Sequence, residues 1–185
     1  MKIHDCRISG LKLIEVEMHS DERGFFVERY NEEKFEEAGL PTRFAQDNYL
    51  HSLPRVLRGL HYQKNPGQGK LVYVVSGAVW DVAVDIRPGS PTFGQHFGIE
   101  LSALNGKMLW MPDGFAHGFC VLGDEGADML MKVTEFHNPA ASGGIRYDDV
   151  NLAIKWPVEN PIISARDHAL ASWNEYCNNA SKVEG

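Results

Sequence analysis

The chain has 185 residues, 43% of them hydrophobic and 23% charged, which suits a folded globular protein and excludes global disorder or low complexity. Eighteen Lys and Arg against 25 Asp and Glu give a formal charge of −7, and with no basic cluster this excludes a protein that tracks a nucleic-acid backbone. No apolar run approaches the roughly 20 residues that span a bilayer, and the first ten residues carry no apolar signal core, so a cytoplasmic chain without membrane contact is expected.

Length predicts one domain over residues 1–185. Taken in order, runs rich in β-branched and aromatic residues predict strands at 12–17 and 24–30. A helix over 32–38 follows, with Asn31 as N-cap, Gly39 as left-handed stop and Pro41 just beyond. Further strands are predicted at 44–49, 56–63, 70–75, 77–86, 94–101, 107–111, 114–122 and 127–137. The gaps carry turn residues: Pro88-Gly89, Asn105-Gly106, Gly123-Asp124 and Asn138-Pro139. From Asp167 to about Cys177, Leu170, Trp173 and Tyr176 recur every three residues, which predicts one helical face docked on the strands. Many short strands at near-regular spacing predict an all-β sandwich or barrel. Cys6, Cys120 and Cys177 are far apart and form no CxxC pair, so they read as reduced, structural thiols, not as a disulfide frame or zinc knot.

Strand period decides which side chains can meet. Asp81, Ala83 and Asp85 share one face, and Trp80, Val82, Val84 and Ile86 the other. His117 shares a face with Phe115, Phe119 and Val121. Both patterns suggest a pocket lined by strands. In Arg58-Gly59-Leu60-His61, a strand-borne histidine is either a general base beside an anion clamp or a satisfied barrel histidine near a surface arginine. Strict alternation sends Arg58 and His61 to opposite faces, so a shared site requires Gly59 to bend or bulge the strand. The run from Pro112 to His117 resembles the second half of the cupin pattern. The first half reads His61-Tyr62-Gln63, without the second histidine of a metal-binding HxH. Two lone histidines fall short of the three protein ligands of a catalytic zinc, and no metal is expected. Asp21-Glu22-Arg23-Gly24-Phe25-Phe26 is either a solvated hairpin or a place where Arg23 meets a phosphate and an aromatic packs on a base.

The runs DERGFF, QDN, VLRGLHYQ, GKLVYVVSGAVWDVAVDIR, MPDGFAHGF and IRYDDVNLAIKWP occur in this order, with ISARD near the end. Together they resemble the dTDP-4-dehydrorhamnose 3,5-epimerase family over about residues 5 to 172. The resemblance implies a double-stranded β-helix, or jelly roll, in a homodimer whose N-terminal strands help complete the partner. It implies a nucleoside-diphosphate 4-keto-6-deoxyhexose as substrate and neither metal nor organic cofactor. Carbons flanking the ketone would be inverted by removing a proton on one face and returning one on the other. A carbon acid beside a ketone is weak, so the base must be close and the enolate stabilised.

Residue by residue, the resemblance implies that His61 is the base, with an ordinary pKa of about 6.5 that suits neutral pH. Asp167 would orient its ring; the alternative is an N-cap of the tail helix. Lys70 would stabilise the enolate oxygen, and Asp81 would be its acidic neighbour. Arg23 and Arg58 would face the diphosphate, Glu28, Gln46 and Asn48 the nucleotide side, and His117 would line the site. The family usually has a tyrosine as the opposite-face acid, in a stretch such as YKxTxxYxP. Here Met131 and His137 stand at the two tyrosine positions, and methionine has no proton to donate. Residues 131 and 137 are six apart and share a face on a regular strand. His137 or water would then supply the proton, or only one centre would be inverted. A nucleotide-sugar ketoisomerase and a non-catalytic nucleotide-sugar binder are further alternatives on the same fold.

Overall fold

Among residues 1–180, which the computed structural model describes, the alternating runs become strands in two facing antiparallel sheets. The first sheet is ordered β1 (Lys2–Asp5), β2 (Lys12–Glu15), β10 (Lys107–Met111), β7 (Lys70–Ser76), β12 (Ala127–Val133) and β5 (Gln46–Ser52). The second is ordered β13 (Ser142–Gly144), β6 (Leu57–Gln63), β11 (Phe115–Leu122), β8 (Ala78–Asp85) and β9 (His96–Ser102). From β5 onward the chain repeatedly crosses between sheets, and the result is the expected all-β jelly roll. Val72, Val74 and Leu109 of the first sheet meet Phe115, Phe119 and Val121 of the second in the central core.

Alternate residues of the central strands are also apolar, and their outer faces are covered by helices and adjoining loops. Leu71 and Tyr73 turn outward against Phe35 and Leu40, beside α1 (Glu32–Glu37). Asn31 caps α1 by accepting from the Lys34 amide, and Gly39 at φ 66° ends it, as the sequence predicts. Val82 and Val84 turn outward against Leu152 and Tyr176.

Several expectations are corrected. Strands β1, β3 (Met18–Asp21) and β13 were not foreseen, since KIHD, MHSD and SGG are poor in strand formers; pairing with β2, β4 (Gly24–Val27) and β6 makes them. The predicted tail helix is two: α2 (Ala165–His168) and α3 (Trp173–Ala180). Between them Ala171 accepts from the Arg146 amide, and Ser172 with Glu175 forms a capping box that starts α3 afresh. The strand predicted over 127–137 ends at Val133.

Candidate active site

A pocket of about 320 Å³ opens between the sheets, where the edge strand β5 faces β6 and β13. His61 enters it from β6. The ring Nε2 lies 2.8 Å from Asp167 Oδ1, and Asp167 Oδ2 accepts from the Gly59 amide at 3.2 Å. Asp167 is buried in the first turn of α2. The N-cap of that helix is Ser164, so the capping alternative for Asp167 is not realised. A neutral ring that donates Nε2–H to the carboxylate keeps its lone pair on Nδ1. Burial lowers the His61 pKa, and Asp167 partly restores it.

Lys70, at the start of β7, is 6% exposed, and its ammonium donates to the His61 carbonyl at 2.9 Å. Burial pulls its pKa down to about 8, against the opposing field of Asp81. Asp81 is the acidic neighbour expected of Lys70, but among the described residues the two form no ion pair. Asp81 Oδ2 instead lies 2.8 Å from His117 Nε2, because Asp81 pairs across β8–β11 with Phe119, one step along the same face from His117. Asp81 Oδ1 is buried without a hydrogen-bond partner among the described residues. His117 sits directly opposite His61 in the β11–β6 ladder, and both line the pocket.

Arg58 and His61 also line this pocket together. In the ladder His117 faces His61 and Phe119 faces Arg58, so three steps on β6 match two on β11. The extra residue is the bulge that the sequence requires. Gly59, at φ 125°, supplies it, and a Cβ there would lie 2.5 Å from Gly118 Cα. Arg58 is held by Ser52 Oγ and the His51 carbonyl.

From the first sheet come Gln46 and Asn48 on β5 and Met131 on β12. His137 also reaches the pocket, but not along a strand. β12 ends because the Thr134 side chain and amide bond Gly69, turning the chain out of the sheet. Gln63 then clamps the loop at Phe136 and Asn138, and Gln46 Oε1 accepts from the His137 amide at 3.1 Å. The six-residue spacing argument therefore fails, although both residues arrive at one site.

Arg23 and Glu28 do not line the pocket of their own chain. Arg23 is at the tip of the β3–β4 hairpin, 83% exposed and paired with Asp21; Glu28 pairs with Lys34. Sequence reasoning missed Tyr62, Gln63, Gln68, Ser142 and Arg166, all of which line the pocket. The signal for Arg166 was its place beside Asp167 in a helix turn. Among the described residues no three His, Cys, Asp or Glu side chains converge on a metal position, and no helix is long and apolar enough to cross a membrane.

The model of the dTDP-4-dehydrorhamnose 3,5-epimerase family matches residues 5–175. The chain is 49% identical over 169 residues to the dTDP-4-dehydrorhamnose 3,5-epimerase of Shigella flexneri, covering 90% of this chain and 93% of that one. It is similar in structure to the dTDP-6-deoxy-D-glucose-3,5-epimerase of Legionella pneumophila, solved in complex with dTDP-4-keto-L-rhamnose: TM-score 0.89, 47% identity, 94% of this chain and 93% of that one. A 4-keto-6-deoxy sugar epimerase from the novobiocin gene cluster of Streptomyces spheroides gives TM-score 0.93 at 37% identity, over 97% and 91% of the two chains. With the family model matched over nearly its whole length, and with a histidine, carboxylate and lysine gathered in one jelly-roll pocket, this chain belongs to the dTDP-4-dehydrorhamnose 3,5-epimerase family.

Proposed function

We propose that the chain is a cytoplasmic, cofactor-independent isomerase that inverts the carbons flanking the ketone of a nucleoside-diphosphate 4-keto-6-deoxyhexose, of the dTDP-4-keto kind named for its relatives. The observation that carries this reading is the convergence of His61, Asp167 and Lys70. His61 Nδ1 takes the proton from carbon, and the electron pair passes to the ketone oxygen. The imidazolium that forms is stabilised by Asp167. The Lys70 ammonium uses one N–H on the His61 carbonyl and keeps two for the enolate oxygen. Carbon is then reprotonated from the opposite face. On that side the first sheet presents Leu50, Met131, Gln46 and Asn48, none of which is an acid at neutral pH. His137, clamped between Gln46 and the Gln63 loop, is the donor. Arg58 binds the diphosphate, with Gln46, Asn48 and His117 positioning the rest.

The active form is a homodimer with exchanged N-terminal strands. Supporting this, the β3–β4 hairpin pairs with no other strand among the described residues and exposes Phe25 and Phe26 by 47% and 68%. In such a dimer Arg23 and Glu28 serve the partner's pocket. The comparisons do not favour a ketoisomerase, a single-centre enzyme or a non-catalytic binder.

Incubation with dTDP-4-keto-6-deoxyglucose in D₂O, read at carbons 3 and 5, tests the reading. Deuterium enters both carbons. His61→Asn abolishes entry while ligand affinity stays within about tenfold. His137→Phe slows inversion relative to exchange by about 10²-fold or more, the value of a placed acid. Bound substrate that gains no deuterium would overturn the reaction, and an unmoved ratio in His137→Phe would reassign the acid.

A further inference from the structure

The pocket has one apolar wall. Leu50 on β5 and Met131 on β12 reach it from the first sheet, and Phe119 on β11 from the second. Glycines apart, every other side chain lining the pocket carries nitrogen or oxygen. The three line one pocket and belong to one apolar cluster. Leu50 pairs with Met129 and Asn48 with Met131, so Leu50 and Met131 are diagonal neighbours on one face. Both pack on the buried cluster that contains Phe119. Met131 pairs in turn with Val72, two residues along β7 from Lys70. The wall thus begins one diagonal step from the lysine that faces the ketone oxygen.

A sugar hydroxyl turned toward this wall gives up its water and finds no partner, whereas a methyl group gives up nothing. We infer that Leu50, Met131 and Phe119 form a socket for the methyl carbon of a 6-deoxy sugar, and are the residues by which the pocket rejects a sugar hydroxylated there. This rests on the reaction proposed above, because carbon 6 is bonded to carbon 5, one of the centres inverted. The inference adds what that reaction leaves open: how the pocket tells a deoxy sugar from its parent.

An apolar pocket rejects an added hydroxyl by about 10- to 100-fold. The probes are dTDP-glucose and dTDP-6-deoxyglucose, which differ by one oxygen and, lacking the ketone, bind without reacting. Titration of the wild-type protein gives tighter binding of the 6-deoxy ligand by that factor. Leu50→Ser and Met131→Thr each narrow the ratio several-fold, and Met131→Leu preserves it. Both ligands are titrated on the same sample, so a reduced folded fraction cancels. Equal affinities in the wild type, or a ratio unmoved by both polar substitutions, would overturn the inference and leave the reaction standing. If neither ligand bound, the proposed reaction would fall, and the inference with it.

Discussion

Lys70 combines function with a cost to stability. Its ammonium is buried with one hydrogen bond to a neutral carbonyl, and its pKa falls from 10.5 to about 8. The folded value lies below the unfolded one, so between about pH 8 and 10.5 the unfolded chain binds the proton more readily. Stability therefore rises with pH through that window, and the cost is fully present below it. A shift of this size corresponds to about 3 kcal/mol, part of which Asp81 would lose as a countercharge if Lys70 were removed. Lys70→Met is expected to stabilise the fold by about 1–2 kcal/mol, measured by urea unfolding at pH 7, while abolishing deuterium exchange. A clear loss of stability would show that the field of Asp81 outweighs burial. The same groups set the pH profile of deuterium exchange, which does not use His137. His61 acts when neutral and its pKa is lowered by burial, so the acid limb lies below the ordinary histidine value. Lys70 acts when charged, so the alkaline limb falls near pH 8. An alkaline limb near 10 would mean that Lys70 keeps its ordinary pKa despite burial.

At the scale of the element, β6 decides whether there is a site at all. Its bulge brings Arg58 and His61 to the same pocket, and its Gly59 amide steadies Asp167. Gly59 has a left-handed φ, and its Cα lies against the backbone of His117 and Gly118. Gly59→Ala adds torsional strain and a backbone clash, together about 2–4 kcal/mol. The thermal midpoint should fall accordingly. In whatever protein remains folded, kcat should fall more than ligand affinity, because the register of His61 shifts relative to Asp167. Unchanged stability would mean that β6 tolerates a regular register there, and that the bulge does not depend on glycine.

For the whole molecule, the decisive question is whether one chain holds a complete site. Arg23 lies outside its own pocket, and in the exchanged dimer proposed above it would serve the partner's base. Arg23→Ala and His61→Asn should each be weakly active or inactive alone. Mixed and allowed to reassociate, half the dimers carry both chains, each with one intact site, and about a quarter of wild-type activity returns. Recovery requires that the two residues act across the interface. A mixture that stays at the level of its components would place Arg23 and His61 in the site of one and the same subunit.

What the sequence determined by itself was whatever depends on local pattern. Alternating apolar residues placed most strands, Asn31 and Gly39 bounded α1, and glycine between Arg58 and His61 marked the one position where a bulge could unite them. Ordered motifs pointed to the family, whose model matches residues 5–175. Long-range partners were not legible, because a hydrogen bond across the fold leaves no periodic trace in the chain. Asp81 met His117 instead of Lys70, and β12 stopped at Val133 because Thr134 bonds Gly69. His137 entered the pocket on a loop held by two glutamines. The tail became two helices because Ala171 pairs with Arg146, far back in the chain. The tertiary structure alone assembled Leu50, Met131 and Phe119 into one wall: three apolar residues on three strands acquire a common surface only when the two sheets close over the same pocket.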